Sequence, residues 1–463
     1  MRDPDKLDNL IKAYDIRGIV PGQLDDELAY QVGAAFAHHL GADLIAVGHD
    51  MRVSSPALAE AFAAGAASRG TDVLAIGLVS TDLLYFASGV GDVPGAMITA
   101  SHNPPAYNGI KLCRAGAAPV GQDTGLTQIR ALLENGLPEY DGELGQIGYQ
   151  DLLPAYAAHL RGLVDLTASR RLKLVVDAGN GMAGRTAPVV LRHPAFEIVP
   201  LYFELDGTFP HHEANPMNPA NLSDLKAAVR REGADAGLAF DGDADRCFFV
   251  DEAGEAVSPS AVIGLIATKE LALHPGSAVI YNAITSRAVA ELITENGGRP
   301  IRTRVGHSFI KQVMADNNAV FGGEHSGHYY FRDFWNADSG MLAALHVLES
   351  LGNTDQPLSA LTGRYVRYVA SGELNLTVSD IPGTLARIEA NYTARGATAD
   401  HLDGLTITHP GGAWFNLRPS NTEPLLRLNV EAPDAATMTQ IRDAVISAVQ
   451  AGDSRHERVD AAS

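Results

Sequence analysis

Apolar positions in this chain fall into short unbroken runs separated by longer stretches of helical spacing. Residues 44–48 (Leu-Ile-Ala-Val-Gly) and 73–77 (Val-Leu-Ala-Ile-Gly) predict buried strands. The alanine-rich segment between them predicts a helix that opens at Ser54-Ser55-Pro56, with an N-cap serine and proline in the first turn, and ends near Gly70. This β-α-β pattern recurs twice. Residues 172–176 lead through a Gly-Asn-Gly turn and a helix to 197–200, and residues 278–281 lead through Thr285, Ser286 and a helix to 300–302. Three related α/β units are the simplest account. From about residue 369 the pattern changes to strands over 374–378, 405–408, 413–417 and 426–430, with a helical run from Pro382 and a closing helix over 435–450. That predicts a smaller domain on an antiparallel sheet, with the polar stretch 452–463 frayed at its end. The predicted class is therefore α/β: three related α/β domains with mixed sheets, followed by a C-terminal α+β domain.

At 463 residues the chain exceeds what one core fills, since single cores stop growing at about 250–300 residues. Its 35 basic and 55 acidic residues leave a net charge of −20, which argues against nucleic acid or an anionic membrane as partner. A local cationic pocket can still draw in a small anion. Cys113 and Cys247 stand far apart without metal-ligand spacing, so neither a disulfide framework nor a cysteine zinc site is expected. A reducing, cytoplasmic setting fits. The first residues are polar and acidic, with no apolar signal core, and no apolar run is long enough to span a bilayer.

Four short stretches carry candidate chemistry. In Thr99-Ala-Ser-His-Asn-Pro104, an apolar run delivers the chain to Ser101, and Pro104-Pro105 forbids a helix after it, so Ser101 is expected exposed on a stiff loop. A serine hydroxyl needs a base, a metal or prior charging to react, and His102 and Lys111 lie close by in sequence. In Asp241-Gly-Asp-Ala-Asp-Arg246, carboxylates at i, i+2 and i+4 project to one side of an extended segment and call for a hard cation. Mg²⁺ is favoured over Ca²⁺, because Arg246 stands where an EF-hand loop needs glycine and the flanks read as strands. Gly323-Glu-His-Ser-Gly-His328 offers close backbone approach together with the acceptors and donor that sugar hydroxyls need, though its histidines also suit a core or zinc. Arg418-Pro-Ser-Asn-Thr-Glu-Pro424 combines an arginine fork, hydroxyls and loop N–H groups into an anion cradle, to which Arg427 adds charge.

In this order and spacing the four stretches resemble the signatures of the α-D-phosphohexomutases, across essentially the whole chain. Tyr14-Asp-Ile-Arg17-Gly18 resembles the family's N-terminal motif. The resemblance implies four domains around a central active-site cleft: 1–148 with a phosphoserine loop, 149–252 with a Mg²⁺ loop, 253–367 with a sugar loop, and 368–463 binding phosphate. It implies that Ser101 carries a phosphoryl group and joins Asp241, Asp243 and Asp245 around Mg²⁺. Arg17, His102, Lys111 and Arg246 are the implied catalytic residues around the transferring group, with Tyr14, His307 and His328 nearby. Which of them serves as general acid or base stays open. Glu324 and Ser326 should bind sugar hydroxyls, while Arg418, Ser420, Asn421 and Thr422 hold the phosphate that is not reacting. Implied partners are hexose phosphates, with a hexose 1,6-bisphosphate as intermediate and activator, acting on a monomer or homodimer.

Substrate expectations follow from details within the motifs. Ala244 inside the acidic loop and Asn421 in the cradle resemble the mannose/glucose branch, since the glucosamine branch usually has glycine at both. His325 stands where bifunctional relatives often have methionine, and Ile284 near where some place a phosphate-facing lysine. The expected reaction is interconversion of mannose 1-phosphate and mannose 6-phosphate, with glucose phosphates open as a second pair. The alternatives are a phosphoglucosamine mutase, a metal-dependent sugar phosphatase that hydrolyses its phosphoserine, and a silent sugar-phosphate binder.

Overall fold

Each of the three β-α-β repeats builds a mixed sheet, and each sheet turns its chain at one of the candidate motifs. The structure, a computed structural model, describes residues 7, 8, 10, 11, 15–419 and 425–460, apart from the side chains of His307 and 452–460. In the first sheet Leu44–His49 lies parallel to Asp72–Leu78 and to the fully buried Gly95–Ile98, and Tyr107–Arg114 runs back antiparallel beside the latter. The reversal between them is the Ser101 loop. In the second sheet Ala236–Phe240 is parallel to Leu172–Asp177 and antiparallel to Cys247–Asp251, with the reversal at residues 241–246. In the third, Phe321–Gly323 is parallel to Ala278–Asn282 and antiparallel to Tyr329–Phe331, with the reversal at 324–328. Apolar runs buried on both faces produce the parallel part of each sheet. The tight reversal leaves polar side chains at its end.

The C-terminal sheet is antiparallel throughout, in the order Val369–Thr377, Leu425–Ala432, Trp414–Pro419, Leu405–Thr408, Thr398–Asp400, backed by Ile381–Thr393 and Ala435–Asp460. The closing helix thus runs on through Gly452, at a cost of about 1 kcal/mol for glycine inside a helix, where an irregular tail was expected. One smaller expectation shifts as well. Ser54 takes the N-cap position of Ser55–Ala67, but its side chain does not cap; its hydroxyl instead accepts from Asn108 Nδ2 at 2.9 Å. No helix among the described residues is long and apolar enough to cross a membrane.

One continuous apolar core joins the three α/β units, running from Leu84 and Phe86 through Tyr156 and Leu160 to Met341 and Leu345. The C-terminal sheet has a core of its own. Within the shared core a single polar junction stands out: the buried Asp82 carboxylate accepts from Ser80 Oγ (2.5 Å), Tyr156 OH (2.5 Å) and Ser339 Oγ (2.6 Å), side chains drawn from all three units. Burial pushes its carboxyl up to about 6, against the ordinary 3.8. The folded state therefore holds this proton where the unfolded chain releases it, and its stabilising effect is lost as pH rises from about 4 to about 6. Replacing Asp82 with asparagine should remove that slope. Across the same interval the stability of the wild type relative to Asp82→Asn should fall by at most about 3 kcal/mol, read by denaturant unfolding. A pH-independent difference would place the titration elsewhere.

Candidate active site

Ser101 sits on the loop expected of it but is buried, 1% exposed, which corrects the expectation of an open serine. Its backbone is left-handed, with φ at 51°, a conformation that costs an L-residue about 1 kcal/mol or more and persists only when neighbours impose it. Arg52 is the chief neighbour. Its fully buried guanidinium donates to the carbonyls of Ser101 (2.8 Å), Asn103 (2.7 Å), Pro104 (2.9 Å) and Tyr107 (2.9 Å), and lies 3.3 Å from Asp50. From the second unit, Phe209 faces the same guanidinium at 5.1 Å. Gly242 completes the enclosure, because a Cβ there would meet the Ser101 carbonyl oxygen at 2.4 Å. Only glycine lets the acidic loop close over the serine.

That acidic loop brings Asp241, Asp243 and Asp245 together, each buried, with one carboxylate oxygen apiece inside 4.8 Å. Lys111 Nζ bridges Asp243 Oδ2 and Asp245 Oδ2 at 2.7 Å each, and Thr81 Oγ1 donates to Asp243 Oδ2 at 2.5 Å. Asp241 Oδ2 accepts from Ser101 Oγ at 2.7 Å. Asp241 Oδ1 accepts from Arg246 N at 3.2 Å, whereas Asp243 Oδ1 and Asp245 Oδ1 are buried without a hydrogen bond. Burial, then the charges of Asp245 and Asp243, push the Asp241 carboxyl well above its ordinary range. Two orphaned carboxylate oxygens beside a carboxylate that resists ionisation are what a hard cation would satisfy, so the residues fit Mg²⁺.

Cations ring the serine. Arg246 Nη2 donates to His102 Nδ1 at 2.6 Å and lies 3.4 Å from Ser101 Oγ, while its Nε stands 3.3 Å from Asp241. His102 Nδ1 is also 3.3 Å from Ser101 Oγ. Burial and the adjacent Arg246 and Arg17 charges hold His102 well below its usual range, so it is neutral and its Nδ1 accepts. Burial opposes the Lys111 charge, but Asp243 and Asp245 override it and hold the ammonium above its ordinary value. Arg17 bonds Asn103 of the serine loop and Asp15. His328 is buried, 3.8 Å from both Asp245 and Asp338, and its backbone bridges that of Arg246. The sugar loop is thereby stitched to the acidic loop.

The Glu324 carboxylate is 2% exposed and accepts from Tyr330 OH (2.7 Å), Gly306 N (2.9 Å) and Asn282 Nδ2 (3.2 Å), and Ser326 of the same loop lines the cleft. Arg418 and Arg427 are direct cross-strand partners. Like charges facing each other repel, and Glu373 lies between them, 3.4 Å from Arg418 and 3.5 Å from Arg427. Both arginines line a cleft of about 1350 Å³ that is also lined by His102 and Arg246. Tyr14, Ser420, Asn421 and Thr422 lie outside the described residues, as does the side chain of His307. Arg52, Thr81 and Glu373 were not singled out from sequence; a buried-strand run ending in Asp50-Met51-Arg52 was the one available signal.

Comparison with known proteins agrees along the chain's length. Four models match in series: phosphoglucomutase/phosphomannomutase α/β/α domain I over 8–138, domain II over 154–254, domain III over 258–368, and the C-terminal domain over 373–448. A protein named phosphohexose mutases from Xanthomonas campestris pv. campestris is 41% identical over 439 residues, covering 94% of this chain and 98% of its own. The chain belongs to the phosphoglucomutase/phosphomannomutase family. An Escherichia coli phosphomannomutase is 42% identical over 94% of this chain and 98% of its own length. The crystal structure of a phosphoglucomutase/phosphomannomutase family protein from Burkholderia thailandensis superposes with a TM-score of 0.88 at 32% identity, covering 97% of this chain and 98% of that one.

For this member of the family, two substitutions probe the site. Lysine cannot reproduce the fork that holds four carbonyls, so Arg52→Lys should cut turnover at least about tenfold and lower the thermal midpoint; wild-type kinetics would show the serine loop to be held by other means. Asp243→Asn removes one charge at nearly constant shape, and should raise the Mg²⁺ concentration needed for half-maximal activity. An unchanged Mg²⁺ titration would count against the cation site.

Proposed function

We propose that the protein is a phosphomannomutase, interconverting mannose 1-phosphate and mannose 6-phosphate through phosphorylated Ser101 and a hexose 1,6-bisphosphate, with glucose phosphates as a second pair. The carrying observation is one cleft with two unlike anion sites. At one end Ser101 Oγ meets Asp241 among buried cations, and at the other two paired arginines face outward from a separate sheet. A mutase needs both, because the phosphate that reacts and the one that rests must exchange places. The family and its phosphomannomutase relatives support the same substrate class.

Mg²⁺ held by Asp241, Asp243 and Asp245 would neutralise charge on the phosphoryl oxygens. Lys111 and Arg246 add fixed positive charge beside Ser101, and Lys111, being held protonated, serves as an electrostatic partner and not as a base. In the first half-reaction the Ser101 O–P bond breaks as the free sugar hydroxyl takes the phosphoryl group, and the hydroxyl's proton passes to Ser101 Oγ. In the second, the O–P bond of the opposite phosphate in the turned bisphosphate breaks, the phosphoryl group returns to Ser101 Oγ, and the serine proton passes to the sugar oxygen that is freed. Arg418 and Arg427, with residues 420–422, hold the resting phosphate in either orientation. The burial of Ser101 works against the phosphatase reading, since water must be kept from the phosphoserine for the group to be returned.

Coupled assays on mannose 1-phosphate, glucose 1-phosphate and glucosamine 1-phosphate test the reading. Activity on mannose 1-phosphate is expected, and activity confined to glucosamine 1-phosphate would replace it with the phosphoglucosamine alternative. Ser101→Ala should abolish sustained turnover while the protein stays folded by circular dichroism. Near-normal turnover in that variant would remove Ser101 as carrier.

A further inference from the structure

Among the described residues, the distal end of the cleft has no net positive charge to meet a phosphate. Arg418 and Arg427 contribute two positive charges, and Glu373 and Asp403, both within 4.0 Å of these arginines, contribute two negative ones. The described residues of the C-terminal sheet therefore sum to about zero there, while a phosphate monoester brings a charge of about −1.5 to −2 at neutral pH. Other cations on the cleft wall are already engaged. Lys226 pairs with Glu255 at 3.6 Å, and Arg246 with Asp241 at 3.3 Å. Ile284, on the same wall, has no charge to offer.

Arg304 differs from all of these. It lines the cleft, is exposed, and among the described residues has no carboxylate within ion-pair reach. Its guanidinium stands 4.8 Å over the ring of Phe309, which lines the same cleft. Stacking of this kind fixes the guanidinium plane and leaves its in-plane N–H donors for a ligand. Its place along the chain puts it near the cradle. The next residue, Val305, donates its backbone N–H to Asp403 Oδ2 at 2.9 Å, and that same oxygen is 4.0 Å from Arg418 Nη1. One carboxylate thus spans from the Arg304 loop to the cradle arginine.

We propose that Arg304 is the third cation of the distal phosphate site, supplied by the third α/β unit across from the C-terminal sheet, and that it binds the resting phosphate of sugar monophosphates and of the 1,6-bisphosphate. This deepens the mutase reading and rests on it. With Arg304 the local sum becomes +1, which suits an incoming anion. Because Arg304 stands in the third α/β unit and Arg418 on the separately cored C-terminal sheet, a phosphate held by both also ties the C-terminal domain to the other three.

The test is Arg304→Ala and Arg304→Lys in the full-length protein, assayed with mannose 1-phosphate and titrated calorimetrically with glucose 1,6-bisphosphate. Arg304→Ala should raise KM for mannose 1-phosphate and Kd for the bisphosphate by about tenfold or more, with kcat changed less and the thermal midpoint unmoved. Arg304→Lys should recover part of the loss, since it restores charge without the fork. Values of KM and Kd within about twofold of wild type would overturn the inference, as would a fall in kcat and thermal midpoint at constant KM, which marks a structural role. If the wild type turns over and the alanine variant keeps its KM, the mutase reading stands and only this inference falls. If the wild type does not turn over, the mutase reading falls, and the bisphosphate titration still judges Arg304.

Discussion

Three carboxylates buried in one hairpin turn set the terms for the rest of this molecule. Two like unit charges 4 Å apart repel by about 4 kcal/mol at an effective dielectric near 20, and Asp241, Asp243 and Asp245 make three such pairs. Lys111 and Arg246 supply two positive charges against three negative ones, so one negative charge remains to be met by a cation or a proton. Burial first, and then the charges of Asp245 and Asp243, raise the Asp241 carboxyl in keeping with that imbalance. Around it, Gly242 admits the Ser101 loop to contact, Thr81 anchors Asp243 from the first unit, and the backbone of Arg246 recruits the sugar loop. The proposed phosphoryl site is assembled where three sheets each bring their turn to the same charge.

The repeat explains why this works geometrically. Each α/β unit places its polar motif at the reversal between a strand parallel to its neighbour and one antiparallel to it. A single apolar core then fixes the three turns relative to one another, with Asp82 as a polar pin between units. The fourth sheet is cored separately and meets the third unit through polar contacts such as Arg287 N to Glu431 at 3.0 Å and Val305 N to Asp403. The end of the cleft proposed to react is thus part of the larger body, and the end proposed to grip the resting phosphate belongs to a smaller one.

What the sequence makes legible is what lies contiguous within it. The serine, acidic, sugar and phosphate stretches are each one turn long, so their chemistry shows in a few adjacent letters, and alternating strand and helix patterns reveal the three units. Residues that act by meeting another element do not show. Arg52 reads as an ordinary loop arginine until its four carbonyl partners, about 50 positions away, are folded onto it. Glu373 and Arg427 belong to different strands, and their shared role emerges only from sheet register. The expected exposure of Ser101 failed for the same reason: proline rules out a local helix, but burial came from the second unit closing over the loop.

The central claim is that Ser101 carries the phosphoryl group and returns it to sugar without losing it to water. Incubating the purified protein with glucose 1,6-bisphosphate, then with excess mannose 6-phosphate, and mapping peptides by mass spectrometry at each stage measures this directly. The account predicts one added phosphate on the peptide containing Ser101 after the first step, its retention through the second because each cycle returns a phosphoryl group to the serine, formation of mannose 1-phosphate, and no matching release of inorganic phosphate. A protein that turns over its substrate while Ser101 stays unmodified, or that releases inorganic phosphate in step with substrate loss, would contradict it.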